Sequence, residues 1–126
     1  MRPVNVVLAH RDPGSTVDLV RSVQLQFHTI ATVQGMEDIR GAIARLRAPL
    51  AIVDLELVSF TELGELCREF PATSFVCIHR LADDAMWSQS LASGAVDCCL
   101  AGDVPKIVQS SERYVAVAQS QPSSAA

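Results

Sequence analysis

The sequence predicts an α/β fold, in which one doubly wound parallel sheet has helices on both faces. Apolar stretches rich in β-branched residues alternate five times with amphipathic stretches of helical periodicity, in units of roughly two dozen residues. Strands that alternate with helices form parallel sheets through right-handed crossovers. The chain has 126 residues, of which 49% are hydrophobic and 19% charged, and this suits a single domain with a substantial core.

The first unit begins with an apolar run from Val4 to Ala9, which predicts a strand. Asp12-Pro13 then marks the start of a helix, because Asp is a good N-cap and Pro is favoured at the first helical position. The apolar stripe of this helix is predicted to consist of Val17, Val20, Val23 and Phe27.

The second unit begins with a shorter and more polar strand, Thr29 to Val33, which is expected at the edge of the sheet. Gly35 breaks the chain before the second helix. The inner face of that helix is predicted to consist of Ile39, Ile43 and Leu46. The residues predicted to face water are Glu37, Asp38, Arg40, Arg45 and Arg47.

The third unit contains a short buried strand that ends in a carboxylate, Leu50 to Glu56 with Asp54 near its end. Pro49 ends the preceding helix. Ser59 and Glu62 have capping-box spacing and predict the start of the third helix. The buried side of this helix is predicted to consist of Leu63, Leu66, Cys67 and Phe70, and Pro71 ends it.

The last two units follow the same pattern. Phe75 to Ile78 and Val96 to Leu100 are predicted strands, and the first of these is apolar throughout, as expected of a strand buried on both faces. Asp83 or Asp84 is expected to cap the fourth helix, and Asp103 the fifth. Trp87, Leu91 and Ala95 form the predicted stripe of the fourth helix, with Trp87 as a core anchor and its neighbour Met86 exposed. The predicted inner face of the fifth helix consists of Ile107, Val108, Ser111, Tyr114, Val115 and Ala118.

Composition excludes several functional classes. The net charge of −4, with no basic tract, argues against nucleic-acid binding. No apolar run approaches the roughly 18 residues that span a bilayer, and the N-terminus lacks the features of a signal peptide. The expectation is a cytoplasmic protein with reduced and mostly buried thiols at Cys67, Cys77, Cys98 and Cys99. The predicted domain covers residues 1–119, and residues 120–126 read as a disordered tail or the stub of a linker.

Common active-site motifs of α/β proteins are absent from the sequence. There is no G-x-G-x-x-G or Walker A loop after the first strand, no G-x-S-x-G elbow and no C-x-x-C pair. His10, His28 and His79 do not have metal-ligand spacing with the cysteines.

Three fragments carry a resemblance to the receiver domain of two-component response regulators. Val6-Val7-Leu8-Ala9 followed by His10-Arg11-Asp12-Pro13 resembles the first strand and its acidic loop, and Pro49 to Leu55 is similar to the strand that ends in the phospho-accepting aspartate. Leu91-Ala92-Ser93-Gly94-Ala95-Val96-Asp97 resembles the "ALxAGAxD" run before the last strand. The resemblance covers Val4 to about Ala118 and implies a flavodoxin-like (βα)5 fold, a three-layer sandwich with strand order 2-1-3-4-5.

The resemblance also implies a phosphorylation site whose helper residues are missing. Asp54 is in the position of the phosphoacceptor. The family has a Mg²⁺-binding acidic pair where this chain has His10 and Arg11, a Ser or Thr where it has His79, and a Lys where it has Ala101. The aromatic switch position is Cys98. These substitutions predict that no cofactor is bound and that Mg²⁺ binding is weak or absent.

Two questions about this site stay open at the level of sequence. Asp12 and Glu56 could still join Asp54 as metal ligands, although Asp12 before Pro13 also reads as a helix N-cap. Arg11 either pairs with Asp54 and replaces the charge of the metal, or points into solvent. His79 could take part in the pairing, or could merely hydrogen-bond a loop carbonyl.

The favoured functional reading is a degenerate receiver, a pseudo-receiver in two-component or phosphorelay signalling that acts through protein–protein interaction and is not an enzyme. One alternative is a working receiver that a histidine kinase phosphorylates on Asp54. A more remote alternative is a small hydrolase on the same fold. Expected partners are a histidine kinase, a phosphotransfer or effector protein, or a second copy of the chain. By analogy with the family, the partner face consists of Met86, Gln89, Lys106, Gln109 and Arg113.

Overall fold

The computed structural model describes residues 2–10, 17–25 and 27–120, and they form five βα units. The strands are β1 (Arg2–Ala9), β2 (Phe27–Val33), β3 (Leu50–Asp54), β4 (Ser74–His79) and β5 (Asp97–Leu100). The helices are α1 (Val17–Gln24), α2 (Met36–Leu46), α3 (Phe60–Glu69), α4 (Asp84–Ser93) and α5 (Val104–Ser120). All strand pairs are parallel and the order is β2-β1-β3-β4-β5, which confirms the predicted fold and the edge position of β2.

The sheet separates two apolar layers, because successive side chains of a strand point to opposite faces. In β1, Val7 and Ala9 face the layer formed by α2, α3 and α4, whereas Val6 and Leu8 face the layer formed by α1 and α5. All five residues of β3 are buried, as expected of a central strand covered on both faces.

Local capping chemistry places the starts of α3, α4 and α5. Ser59 and Glu62 form the predicted capping box, in which each side chain accepts a backbone N–H from the other residue. Of the two candidates for the cap of α4, Asp83 accepts the N–H of Met86. Asp103 accepts the N–H of Lys106 at the start of α5.

Two sequence-based predictions about packing are wrong. Phe27 begins β2 and does not lie on α1, although it is buried in the layer to which α1 contributes. Trp87 is 47% exposed, whereas Met86 is half-buried against the core and Ser90 is fully buried. The face of α4 with the small polar Ser90 can be turned inward because the Ser90 hydroxyl donates to the Met86 carbonyl within the helix.

Within the described residues, no helix combines the length and the apolar character that crossing a lipid bilayer requires. The predicted N-cap at Asp12 lies outside the described residues. Of the predicted tail at residues 120–126, only Ser120 is described, as the last residue of α5.

Candidate functional site

Three strand ends bring the principal candidate residues to one edge of the sheet. β2 lies on one side of β1 and β3 on the other, so the direction of winding reverses between β1 and β3. Ligands of doubly wound sheets bind in the crevice outside the carboxyl ends of the strands at such a reversal. His10 follows β1, Asp54 ends β3 and His79 ends β4, so all three residues lie at this edge.

The Asp54 carboxylate is held by the turn that follows β3. Asp54 is only 3% exposed, and its Oδ1 accepts the backbone N–H of Glu56 at 2.8 Å. The Asp54 carbonyl accepts the N–H groups of Leu57 and Val58, so the chain turns directly after the strand. The N–H of Leu55 bonds to Ile78 and continues the β3–β4 pairing past the strand end. The turn therefore fixes the position of this carboxylate.

The other oxygen of Asp54 faces an imidazole. His10 Nε2 lies 3.7 Å from Asp54 Oδ2, and the His10 side chain is 14% exposed. The backbone N–H of His10 donates to the Val33 carbonyl, which anchors the loop start to the end of β2. His10 takes the first acidic position of the receiver pattern. It therefore places an imidazole nitrogen, and not a carboxylate, opposite Asp54, the candidate phosphoacceptor.

A second carboxylate–imidazole contact lies beside the first. His79 Nε2 lies 3.6 Å from Glu56 Oε1, and both side chains are 15% exposed. His79 Nδ1 accepts the N–H of Leu81 at 2.9 Å, so in the neutral imidazole the proton is on Nε2 and faces Glu56. Arg80 Nε also contacts Glu56 Oε1. His79 therefore lies against Glu56 and a backbone amide, and it neither pairs with Asp54 nor bonds the predicted loop carbonyl in the described contacts.

The remaining helper positions add no side chain to the site in the described residues. Ala101 follows β5, and its backbone N–H donates to the His79 carbonyl. Because the residue is alanine, only a methyl group stands where the receiver pattern has a lysine. Arg11 and Asp12 lie outside the described residues, so the predicted Arg11–Asp54 pair and the Asp12 cap remain predictions.

Among the described residues, the side chains near Asp54 do not form the oxygen-rich ligand set that Mg²⁺ prefers. This ion prefers hard oxygen ligands in octahedral geometry. Here a nitrogen from His10 faces one Asp54 oxygen, and Glu56 is engaged with His79 and Arg80. Within the described ranges, no group of three or more His, Cys, Asp or Glu side chains is arranged to hold a metal ion.

The four thiols belong to the core and not to this site. Cys77 and Cys98 are register partners on β4 and β5, while Cys99 faces the opposite apolar layer. Burial raises the pKa of Cys67 and of Cys99 to about 11, and it raises the pKa of Cys77 and Cys98 as well. All four are free thiols, and their protonated form makes them poor nucleophiles and poor metal ligands at neutral pH.

Four of the five residues predicted for the partner face are exposed, namely Gln89, Lys106, Gln109 and Arg113. Met86 is the exception, because it packs against the core. Trp87 lies on the surface in its place, and its Nε1–H donates to Asp97 Oδ1 at 3.2 Å. Asp97 also accepts from the Ser110 hydroxyl and so joins α4, β5 and α5.

Sequence reasoning missed two features of this edge. The first is the contact between Arg80 and Glu56, in which Arg80 is the only arginine that reaches Glu56 within the described part of the chain. The position of Arg80 directly after His79 could have indicated this contact. The second is a cleft of about 410 Å³ between β2 and α2, into which His10 also points. Nothing in the hydrophobic pattern indicates it, since it depends on where α2 lies across the sheet.

No protein-family model matches the sequence, and no curated protein matches it. The structure, in contrast, resembles many solved ones. A response regulator from Thermotoga maritima is 18% identical with a TM-score of 0.77, over 92% of this chain and 99% of that chain. The receiver domain of the Francisella response regulator 1452 is 11% identical with a TM-score of 0.79, over 90% and 98% of the two chains.

The isolated receiver domain of RcsB from Salmonella enterica serovar Typhimurium, solved with the phosphate mimic BeF3−, is 17% identical, with a TM-score of 0.75. The match covers 93% of this chain and 99% of that one. At such identities the likeness establishes architecture and leaves chemistry to the residues of the site. The chain has the flavodoxin-like fold of response-regulator receiver domains.

Proposed function

We propose that this chain is a signalling module of the receiver type that acts through protein contacts, without phosphorylation of Asp54. One observation carries the proposal. The candidate phosphoacceptor has one oxygen bonded to the Glu56 amide and the other facing His10, in the position where the family holds its metal.

The chemistry of phosphoryl transfer explains why this arrangement matters. Such transfer depends on a divalent cation and on donors that neutralise charge on the moving phosphoryl group. An imidazole beside Asp54 supplies at most one positive charge and cannot bridge carboxylate and phosphoryl oxygens as a metal does. His79 is engaged with Glu56 and Leu81, and Ala101 carries no cationic group. Each helper function is therefore weakened at its own position.

The competing proposal is a working receiver that a histidine kinase phosphorylates on Asp54. The observation in its favour is that Asp54 occupies the carboxyl end of the central strand on a receiver fold. A hydrolase would need His79 to act on Asp54, whereas the His79 imidazole lies against Glu56. We infer that the chain is not an enzyme.

Partner binding is assigned to the surface of α4, β5 and α5. Its exposed side chains include Gln89, Lys106, Gln109 and Arg113, and Trp87 adds a half-exposed aromatic ring. Exposed aromatic and arginine side chains are frequent anchors at protein interfaces. The partner is a kinase, a phosphotransfer or effector protein, or a second copy of the chain.

A direct test of the proposal is incubation with acetyl phosphate and Mg²⁺, followed by intact-mass spectrometry. The matched control restores the helpers in the same chain by His10→Asp, Arg11→Asp, His79→Thr and Ala101→Lys. The proposal predicts no phosphoryl adduct on the natural chain and an adduct on the restored chain that Asp54→Asn abolishes. An Asp54-dependent adduct on the natural chain would overturn the proposal in favour of the working receiver.

A further inference from the structure

The cleft between β2 and α2 has the size of a small-molecule site. Its volume is about 410 Å³, within the range of roughly 300–1,000 Å³ that ligand pockets occupy. One wall is formed by Thr32, Val33 and Gln34 at the end of β2, and the other by one face of α2. It opens at the carboxyl edge of the sheet, where ligands of doubly wound folds bind.

The cleft exists because α2 carries small residues where it faces β2. Gly41 lies within the helix, and a Cβ added there would meet no atom within 4 Å. Ala42, next to it, is buried and contributes only a methyl group to the wall. A glycine in a helix interior is unfavourable relative to alanine, so local helix stability does not account for Gly41. The absent side chain leaves the volume of the cleft open.

Two opposite charges stand along the helical wall of the cleft. Asp38 and Arg45 are seven residues apart, which is about 10 Å along a helix axis. Among the described contacts, neither side chain forms an ion pair or a side-chain hydrogen bond. Glu37 differs, because Arg40 holds it at 3.2 Å. The cleft therefore presents the Asp38 carboxylate and the Arg45 guanidinium to a guest, from backbone positions that the helix holds about 10 Å apart.

We propose that this cleft binds a small zwitterion of dipeptide length, with its ammonium at Asp38 and its carboxylate at Arg45. Two extended residues span roughly 7 Å, and the reach of the Asp38 and Arg45 side chains covers the remainder. A guanidinium can donate two parallel hydrogen bonds to a carboxylate. The apolar wall at Val33 and Ala42 would contact the body of the ligand, and Thr32 and Gln34 offer hydrogen bonds to its amide.

His10 makes this position relevant to signalling. It lines the cleft and also contacts Asp54, so a bound zwitterion lies beside the candidate receiver site. The inference goes beyond the proposed function and does not depend on it, since binding in the cleft requires neither Mg²⁺ nor a phosphoryl donor.

The test is an amide NMR titration with alanyl-leucine in the absence of Mg²⁺. We expect saturable shifts at Thr32, Gly41 and Arg45. N-acetyl-alanyl-leucine and alanyl-leucine amide, which each lack one charge, are expected to bind about tenfold or more weakly, because each loses a charge-assisted hydrogen bond. The absence of saturable shifts with alanyl-leucine overturns the proposal, and so does binding of either capped peptide as tightly as alanyl-leucine itself.

Two substitutions of one residue provide a matched pair of variants. Gly41→Leu fills the cleft while improving helix propensity, so the variant is expected to fold and to lose binding. Gly41→Ala adds a single methyl group and is expected to keep binding within about threefold of the natural chain, since the added Cβ meets no atom. Arg45→Gln should weaken alanyl-leucine but leave the affinity for its amide unchanged. Unaltered binding by folded Gly41→Leu would show that the peptide binds elsewhere and would refute the assignment.

Discussion

Gly94 offers a sharp test of how the chain turns from α4 into β5. It caps α4 with φ +116°, in the left-handed region that side chains other than glycine rarely adopt. A Cβ added there would lie 2.8 Å from the Cys67 Cβ and 3.1 Å from its Sγ. Gly94 belongs to the run that resembles the family's "ALxAGAxD" pattern, and its positive φ and the lack of room for a Cβ beside Cys67 explain physically why this chain has glycine there.

The cost of Gly94→Ala has two parts. A left-handed backbone costs an L-residue about 1–2 kcal/mol. Overpacking against Cys67 adds about 1–3 kcal/mol, because the Cys67 Cβ, at 2.8 Å, is bonded directly to its own backbone and can move little. The variant is therefore expected to lose about 2–5 kcal/mol, which for a chain of 126 residues lowers the Tm by roughly 8–20 °C.

Urea unfolding followed by circular dichroism measures this loss, and Gly41→Ala is the matched control. Gly41 lies within α2 with no atom near the added Cβ, so alanine there is expected to stabilise the chain by about 0.5–1 kcal/mol. A loss below about 1 kcal/mol for Gly94→Ala would refute the steric argument, since strain alone should reach that value.

Three further predictions concern the partner face, the thiols and a helix cap. Asp97→Ala removes the carboxylate that accepts hydrogen bonds from Trp87, Ser110 and Cys98. The free energy of unfolding should fall by about 1–3 kcal/mol and the fluorescence emission of Trp87 should change. Unchanged emission would contradict the contact between Trp87 and Asp97. Burial raises the pKa of Cys67 and of Cys99 from 9.0 to about 11, so their contribution to stability is complete below pH 9 and is lost towards pH 11. Their reaction with a thiol reagent at pH 8 should be slower in the native than in the urea-unfolded chain, and equal rates would refute the burial. Ser59→Ala should cost about 1 kcal/mol in urea unfolding by opening the capping box, whereas a loss too small to measure would mean that the cap is dispensable.

Local chemistry made most of the fold predictable. The five βα units follow from hydrophobic periodicity, and the starts of α3 and α4 follow from Ser59 and Asp83. Strand order followed from the family resemblance, because periodicity alone does not specify which strands are neighbours. The inner face of α4 was not predictable, since its apolar residues do not form one stripe and Ser90 is buried by bonding within its own helix.

The candidate site was predictable in position and not in its contacts. Strand ends place His10, Asp54 and His79 at one edge, as their positions in the sequence indicate. His10 pairs with Asp54, and His79 pairs with Glu56. This pairing depends on the turn after β3, which sets the orientation of each carboxylate. The cleft beside α2 depends on where that helix lies across the sheet, and no short-range sequence pattern predicts that position.

The proposed function requires that Asp54 binds neither a metal ion nor a phosphoryl group. Titration with Mg²⁺ and then beryllofluoride, observed through amide NMR shifts, tests it most directly, because the Glu56 amide donates to Asp54 and reports on that carboxylate. The account predicts no saturable shift at Glu56, His79 or β5 in the natural chain, and clear shifts in the chain with restored helpers. Saturable shifts at Glu56, His79 and β5 in the natural chain would contradict it and show a working receiver.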